Sequence, residues 1–176
     1  MNQFPIHRIT VINGVAGGNE ERIGEEFPVA DKLKIDKHFV PCLVDDEDEL
    51  FANGIFEFNI TKMTNYILCD PGRVSLDEVA VGDFFVNIST INESHLASVE
   101  LSQPIIVAEI APGRYNVIDG NHRMEKARRA GIPTLTAYKV PPEQHMKFLI
   151  CKEAYVAYVE YWNSKLIVSR PSRQRK

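Results

Sequence analysis

Apolar positions along residues 55 to 165 change repeatedly between the spacing of strands and that of helices. The runs "IIVAEI" and "YNVID" are rich in β-branched residues and flank "APGR", in which Pro112-Gly113 is a turn sequence. These runs predict an antiparallel hairpin. The segment "GIFEFNI" predicts an earlier strand. In "ITKMTNYILCD", Ile60, Met63, Ile67 and Leu68 recur at helical spacing, which predicts a helix.

The remaining segments complete the predicted order of elements. We expect strands in "HFVPCLV" (38–44) and "FFVNI" (84–88), a helix start at Ser75-Leu76-Asp77-Glu78, and a short helix in "TINESHLASVE" that Asn92 caps while Leu96 and Val99 face inward. "HRMEKARRAG" predicts a helix that ends at Gly131, and "PTLTAYKV" predicts a strand. Residues 141–166 predict one long helix, with Pro141 and Pro142 at its start.

This order predicts an α+β (mixed α/β) fold and not a regular doubly wound sheet. The chain has 176 residues, of which 44% are hydrophobic, so it can bury one sizeable core. We expect residues 1–54 to form an N-terminal extension with strands packed on the core. Residues 55–169 then form the domain with its C-terminal helix, and residues 170–176 a basic tail.

Charge and composition limit the partners. The net charge of −4 gives no overall basic field for a nucleic-acid duplex, so a phosphate would need a local site. The apolar runs fall far short of the roughly 20 residues of a membrane span, and no secretory signal pattern is visible. The three cysteines form no CxxC pair, which is typical of free thiols. We expect a cytoplasmic protein without a membrane partner. The acidic run 45–49 indicates a solvated loop or helix start, so no metal site is predicted.

The stretch "VIDGNHRMEKARRAG" carries the candidate chemistry, at residues 119–123, which we call the corner. A strand that turns into a helix here would direct the free N–H groups and positive end of the helix dipole at one point, which favours an anion. Gly120 would allow a tight turn and close approach of a ligand. Arg123 could form two hydrogen bonds to a phosphate, His122 could donate one or move a proton, and Asp119 could orient either side chain or hold a cation. Asn121 and Gln103 would line the same site.

Purely structural roles are the alternative to this functional interpretation of residues 119–123. Asp-Gly-Asn is also a turn and helix cap, and Arg123 could pair with a surface carboxylate. Lys126, Arg128 and Arg129 are typical of a solvated helix face. The apolar stripe of the last helix is expected to cover the domain's own sheet, and the alternative is a homodimer interface; its members are Phe148, Leu149, Cys151, Tyr155, Tyr158, Val159 and Trp162.

The stretch "QPIIVAEIAPGRYNVIDGNHRMEKARRAGIPTLTAYKV" resembles the core of the ParB/sulfiredoxin superfamily. Its domains have a "QPI-V" strand, a turn, a second strand, a Gly-x-x-Arg corner that opens a helix, a glycine and a closing strand. Matching elements cover roughly residues 75 to 145, and the tight match covers 103 to 140. The corner is Gly-Glu-Arg-Arg in ParB-type partition proteins, where it binds the triphosphate of CTP. It is Gly-Gly-Cys-His-Arg in sulfiredoxin, and Asp-Gly-His-His-Arg in free-serine kinases, where it lies against the phosphates of ADP; the last is the most similar.

Departures from these patterns narrow the implied activity. Asn121 replaces the sulfiredoxin nucleophile, which excludes that chemistry. Beyond residue 140 there is no room for the helix-turn-helix and dimerisation domains of a partition protein, so spreading on DNA is not expected. The resemblance implies a protein that binds ATP, ADP or CTP, with Mg²⁺, as a small phosphotransferase or nucleotide hydrolase. His122 and Asp119 would then be catalytic, and Gly120, Asn121, His122, Arg123 and Gln103 would bind the nucleotide.

Two alternatives stay open. The first is a non-catalytic ParB-type module that senses a nucleotide or contacts DNA. The second, which ranks third after the enzyme and this module, is a nuclease. A kinase also needs a general base for the acceptor hydroxyl. The sequence does not choose among the available carboxylates, which are Glu57, Asp77, Glu78, Asp83, Glu93 and Glu100.

Overall fold

A four-stranded mixed sheet forms the centre of the domain. The computed structural model describes residues 30–54, 56–85 and 91–168, with side chains described as far as residue 166. Its strands are β3 Ser75–Ala80, β4 Ile105–Ala111, β5 Arg114–Asp119 and β6 Thr134–Val140. They lie in the order β3-β6-β4-β5, with β4 parallel to β6 and the other two pairs antiparallel. The fold is α+β, as the sequence predicts.

The predicted hairpin of β4 and β5 is confirmed. Ala111 pairs with Arg114 across the turn, and Gly113 adopts the left-handed conformation with φ 69°. At the other end of the hairpin, Ile106 pairs with Asp119. Strand β4 is central and buried along nearly its whole length, because helices cover both faces of the sheet.

The larger core lies on one face of the sheet. Ile106 and Ile110 of β4 point into this core. The small antiparallel sheet and three helices pack over them. The elements that bound it are β1 Leu50–Asn53, β2 Phe56–Asn59, α1 Ile60–Cys69, α4 Pro142–His145 and α5 Lys152–Val168. The predicted strand in 54–60 and the helix after it are therefore confirmed.

The smaller core lies on the opposite face and supports the corner. Ile105 and Val107 alternate with the β4 residues of the larger core, and they pack against Met124 and Ala127 of α3 (Asn121–Arg129). A short helix, α2 (Glu93–Leu96), lies beside α3. Asn92 caps α2 as predicted, since its side chain accepts a hydrogen bond from the N–H of Ser94 at 3.1 Å.

Two predictions for the chain before α2 are wrong: the helix start at residues 75–78 and the strand at residues 38–44. Ser75-Leu76-Asp77-Glu78 begins the edge strand β3, whose hydrogen bonds to β6 outweigh the local helix-start signal. Residues 38–44 form no strand: Phe39 stacks on the Tyr155 ring with centroids 3.9 Å apart, and Cys42 N–H donates to Leu149 C=O at 2.9 Å. The predicted strand 84–88 does not include Phe84 or Phe85, and its other residues lie outside the described ones.

The long C-terminal helix is interrupted. After α4, a 3-10 turn at Met146–Phe148 leads into an extended segment, and α5 begins only at Lys152. The cause is pairing with β2: Leu149 forms a β-bridge to Phe58, and the N–H of Ile150 donates to Glu57 C=O at 3.2 Å. These contacts draw the backbone out of helical geometry.

The aromatic stripe of α5 is covered by its own chain. Tyr155, Tyr158, Val159 and Trp162 are each at most 4% exposed and belong to the larger core. Residues 31–36, which belong to the predicted N-terminal extension, also cross this helix. Trp162 donates to the carbonyl of Asp31 at 3.0 Å, and Tyr155 accepts from the N–H of Asp36 at 2.8 Å. The stripe therefore covers the domain's own sheet and is not left free for a second copy. None of the helices in the described ranges is long and apolar enough to cross a membrane.

Candidate functional site

No side chain among the described residues caps the start of α3 at the corner. Strand β5 ends at Asp119, Gly120 takes the left-handed conformation (φ 93°, ψ 23°), and α3 begins at Asn121. Gly120 has no side chain to cap the helix, and the N–H of Met124 makes the first intrahelical bond, to Gly120 C=O at 2.9 Å. The three N–H groups before it lie at the positive end of the helix dipole. This arrangement can bind an anion.

Packing accounts for the glycine at position 120. A Cβ atom there would lie 2.5 Å from Cγ2 of Ile105 and 2.9 Å from Nε of Arg123, closer than a Cβ atom comes to other non-bonded atoms in folded proteins. Ile105 is wholly buried, so it has no room to move. The sequence analysis expected Gly120 to leave space for an approaching ligand. On the side where a Cβ atom would lie, Ile105 and Arg123 fill that space instead.

Arg123 is held in place by two of the predicted site residues. Its Nη2 donates to Asp119 Oδ2 at 2.8 Å and its Nη1 to Gln103 Oε1 at 3.3 Å. The side chain is only 14% exposed, and its Nε is buried without a hydrogen-bond partner among the described residues. The structure brings Asp119, Gln103 and Arg123 together, and the alternative that Arg123 pairs with a carboxylate is also observed.

His122 is fixed by a contact that the sequence did not indicate. Its Nε2 accepts a hydrogen bond from the backbone N–H of Asn92 at 3.0 Å. Because a backbone N–H only donates, Nε2 carries no proton and the neutral ring has its proton on Nδ1. His95 of α2 meets the ring edge to face, with centroids 5.1 Å apart. Asn121 is half-buried at the first helical position. His95 gave no sequence signal, because its contact with the corner arises only when α2 folds beside α3.

The predicted solvated face of α3 is exposed at Arg128 and Arg129, but its cations are paired within the chain. Lys126 Nζ donates to the carbonyls of Ala97 and Val99 at 3.0 and 2.7 Å. Arg128 and Arg129 both bind Glu125, a carboxylate with no exposed surface, at 2.6 to 2.7 Å. Hydrogen bonds from these two guanidinium groups lower the pKa of Glu125 to about 2. The three cations therefore have partners within the domain, and two of them, Arg128 and Arg129, remain exposed to solvent.

Arg129 also connects α3 to α2. Its Nη1 and Nη2 donate to the two oxygens of Glu93, both at 2.7 Å. This pairing lowers the pKa of Glu93. A bidentate pair of this kind fixes the direction as well as the distance between two elements.

The fold reduces the number of candidate general bases. Asp77 and Glu78 lie on β3, three strands from β5, which is about 14 Å at the usual strand spacing. Glu57 belongs to the other sheet, and Asp83 ends a 3-10 turn that bonds to Pro133 beyond the far end of α3. The two that remain, Glu93 and Glu100, lie in the segment between Ile91 and Gln103 that contacts α3. Within the described ranges, no three His, Cys, Asp or Glu side chains form a group that could hold a metal ion.

Comparison with known proteins gives two partial structural likenesses. No protein-family model matches the chain, and no curated protein sequence matches it significantly. Among solved structures, it is similar to sulfiredoxin from Arabidopsis thaliana, with 20% identity and a TM-score of 0.33 over 39% of this chain and 90% of that one. It is also similar to a C-terminally truncated chromosome-partitioning protein ParB from Caulobacter crescentus, complexed with CTP-gamma-S. That match has 21% identity and a TM-score of 0.32, over 56% of this chain and 55% of that one. At these identities and TM-scores, neither likeness carries an argument about the family, a ligand or an activity of this chain.

Proposed function

We propose that this protein binds a phosphate-bearing ligand, a nucleotide in the first place, at residues 119–123. The observation that carries the proposal is the uncapped start of α3 next to a fixed arginine. The N–H groups of Asn121, His122 and Arg123 precede the first intrahelical bond, and the Arg123 guanidinium lies at the same end of the helix. An anion there gains from the helix dipole and from a charge-assisted donor.

The arginine is prepared for this role before a ligand arrives. Asp119 and Gln103 each accept one of the five N–H donors of Arg123 and hold the side chain in place, and apart from the buried Nε–H two donors remain. Binding then costs less ordering entropy than it would with a mobile arginine. The negative charge of Asp119 opposes an anion, so the donors of the helix and Arg123 have to outweigh it.

A divalent cation would ease this repulsion. Mg²⁺ usually takes one or two carboxylates and fills its other positions with phosphate oxygens and water. Asp119 fits that pattern. Its Oδ2 binds Arg123, and because the side chain is 33% exposed, its Oδ1 would be the oxygen to bind the cation. The described residues supply no second carboxylate at the corner, so Mg²⁺ would arrive with the nucleotide, and the charge it supplies would neutralise the phosphate.

The contacts favour binding over turnover. His122 Nε2 is already occupied by the Asn92 N–H and cannot take a proton without breaking that bond, and the Asp119 carboxylate is engaged by Arg123 through Oδ2. Glu93 is tied to Arg129, which leaves Glu100 as the base that a phosphotransferase would need. DNA binding through α3 is also disfavoured, since its basic side chains are engaged within the chain.

Calorimetric titration with ATP, ADP and CTP, with and without Mg²⁺, tests the proposal. Arg123→Ala should weaken binding about tenfold to a hundredfold, because it removes a charge-assisted contact. Arg114→Ala is the matched control, since the Arg114 side chain is exposed and makes no hydrogen bond to a described residue. A folded Arg123→Ala protein that binds as well as wild type would refute the proposal. Phosphate release under saturating nucleotide separates an enzyme from a binding module.

A further inference from the structure

Helix α2 is attached to α3 at both of its ends. At its N-terminal end, the backbone N–H of Asn92 donates to His122 Nε2 at 3.0 Å. At its C-terminal end, Lys126 Nζ donates to the carbonyl of Ala97 at 3.0 Å and to that of Val99 at 2.7 Å. The ammonium group thus lies where the carbonyls of α2 are unpaired, which is the favourable end of a helix for a cation.

Residues 92–99 form a compact unit. The Asn92 side chain accepts from both the N–H and the hydroxyl of Ser94, at 3.1 and 2.7 Å, and the Ser98 hydroxyl donates to His95 C=O at 2.9 Å. Leu96 anchors the unit, since it is only 8% exposed. A displacement at one end of this unit is therefore passed to the other end.

The contacts on α3 come from one helix face. His122, Lys126 and Arg129 are spaced i, i+4 and i+7, and each binds a different part of the unit. Among the described residues, the Lys126 ammonium donates only to carbonyls of this unit. The exposed pair of Glu93 and Arg129 is the weaker attachment, because solvent screens it, whereas Lys126 makes two bonds to backbone carbonyls.

We infer that Lys126 is a positioning residue for the anion site at the corner. It fixes the C-terminal end of residues 92–99, so that the Asn92 N–H at the other end holds His122 in the tautomer with the proton on Nδ1. His122 then presents one defined donor and a fixed ring. The inference rests on the proposed function, because it assigns Lys126 a role in how that same site binds its anion.

Lys126→Met tests this role, because it removes the ammonium donors and keeps a side chain of similar length. Lys126→Arg restores a cation, and Lys37→Met is the control with the same charge change at an exposed lysine. Two properties are measured on each protein: the nitrogen-15 chemical shifts of the His122 ring, which report its tautomer, and the affinity for pyrophosphate by calorimetry. Lys126→Met should mix the His122 tautomers and weaken pyrophosphate binding about tenfold, the effect of one weakened charge-assisted contact. Lys126→Arg should recover most of both properties, and Lys37→Met should change neither.

A second pair of variants applies if Lys126→Met fails to fold. Asn92→Pro removes the N–H that donates to His122, and Asn92→Ala removes only the side-chain cap. The inference predicts that Asn92→Pro alone mixes the tautomers. A wild-type protein that does not bind pyrophosphate defeats the proposed function, whereas the tautomer measurement still tests the attachment. The inference is overturned if wild type binds pyrophosphate and Lys126→Met, or Asn92→Pro in its place, keeps the wild-type affinity, whatever happens to the ring.

Discussion

Replacing Gly120 with alanine tests the packing of the corner in the absence of any ligand. The substitution places a Cβ atom 2.5 Å from Ile105 Cγ2, 2.9 Å from Ile105 Cβ and 2.9 Å from Arg123 Nε, on a backbone with φ 93°. An L-residue in the left-handed region costs about 1–2 kcal/mol. Overpacking of a buried site costs about 1–3 kcal/mol more. The expected loss of unfolding free energy is therefore about 2–5 kcal/mol, the sum of the two effects.

Two other glycines separate these contributions. Gly131 also has a positive φ, 67°, but a Cβ atom there would meet nothing within 4 Å, so Gly131→Ala measures the backbone cost alone. Gly82 has open space and no positive φ, so Gly82→Ala should be near neutral. We therefore expect Gly82→Ala to be the most stable of the three variants, Gly131→Ala to be intermediate and Gly120→Ala to be the least stable.

Urea denaturation followed by circular dichroism gives the three free energies. In thermal melts, each kcal/mol should lower the melting temperature of a chain of this size by about 2–4 °C. The reasoning is refuted if Gly120→Ala is no less stable than Gly131→Ala, because Ile105 and Arg123 would then not pack against the corner. Binding data from Gly120 variants are in any case poor evidence about a ligand, since the substitution acts on folding first.

Other predictions concern buried charge and α5. Burial lowers the pKa of His145 from 6.5 to about 4, so the unfolded chain takes up a proton first as the pH falls. Unfolding free energy should therefore fall by about 3 kcal/mol from pH 7 to pH 4, and urea titrations of His145→Gln should lack this part. Arg128→Ala should cost about 1–2 kcal/mol in the same assay, because it removes one of two partners of the buried Glu125, with a reduction for the half-exposed arginine; Arg114→Ala should cost little. Sedimentation equilibrium should give a monomer, and a dimer whose interface maps to Tyr155 and Trp162 would contradict the burial of that face.

The sequence predicted those parts of the fold in which local signals and tertiary packing agree. The hairpin of β4 and β5 has strand propensity on both sides of a Pro-Gly turn, and β4 is buried on both faces. The helix after the corner is terminated by the left-handed Gly131, beyond which the N–H of Ile132 bonds to Ala127 C=O as in a glycine-terminated helix. The corner itself was found because its residues are contiguous in the chain.

The remaining features depend on partners that are distant in sequence. Strand β3 is an exposed edge strand, so Ser75-Leu76-Asp77-Glu78 shows no alternation and only pairing with β6 makes it extended. The break between α4 and α5 comes from the pairing of Leu149 with Phe58, which no helical pattern can reveal. In the same way, Lys126 is typical of a solvated position until α2 folds beside it.

Backbone amide NMR during a titration with pyrophosphate tests the central claim most directly. If the start of α3 binds the anion, the largest shift changes should fall on the N–H groups of Asn121, His122 and Arg123, with smaller changes at Gln103. In a folded Arg123→Ala protein these changes should need about ten to a hundred times more pyrophosphate, and in Arg114→Ala they should be unchanged. Shift changes that fall elsewhere and leave residues 121–123 unaffected, or a titration that Arg123→Ala does not alter, would contradict the account.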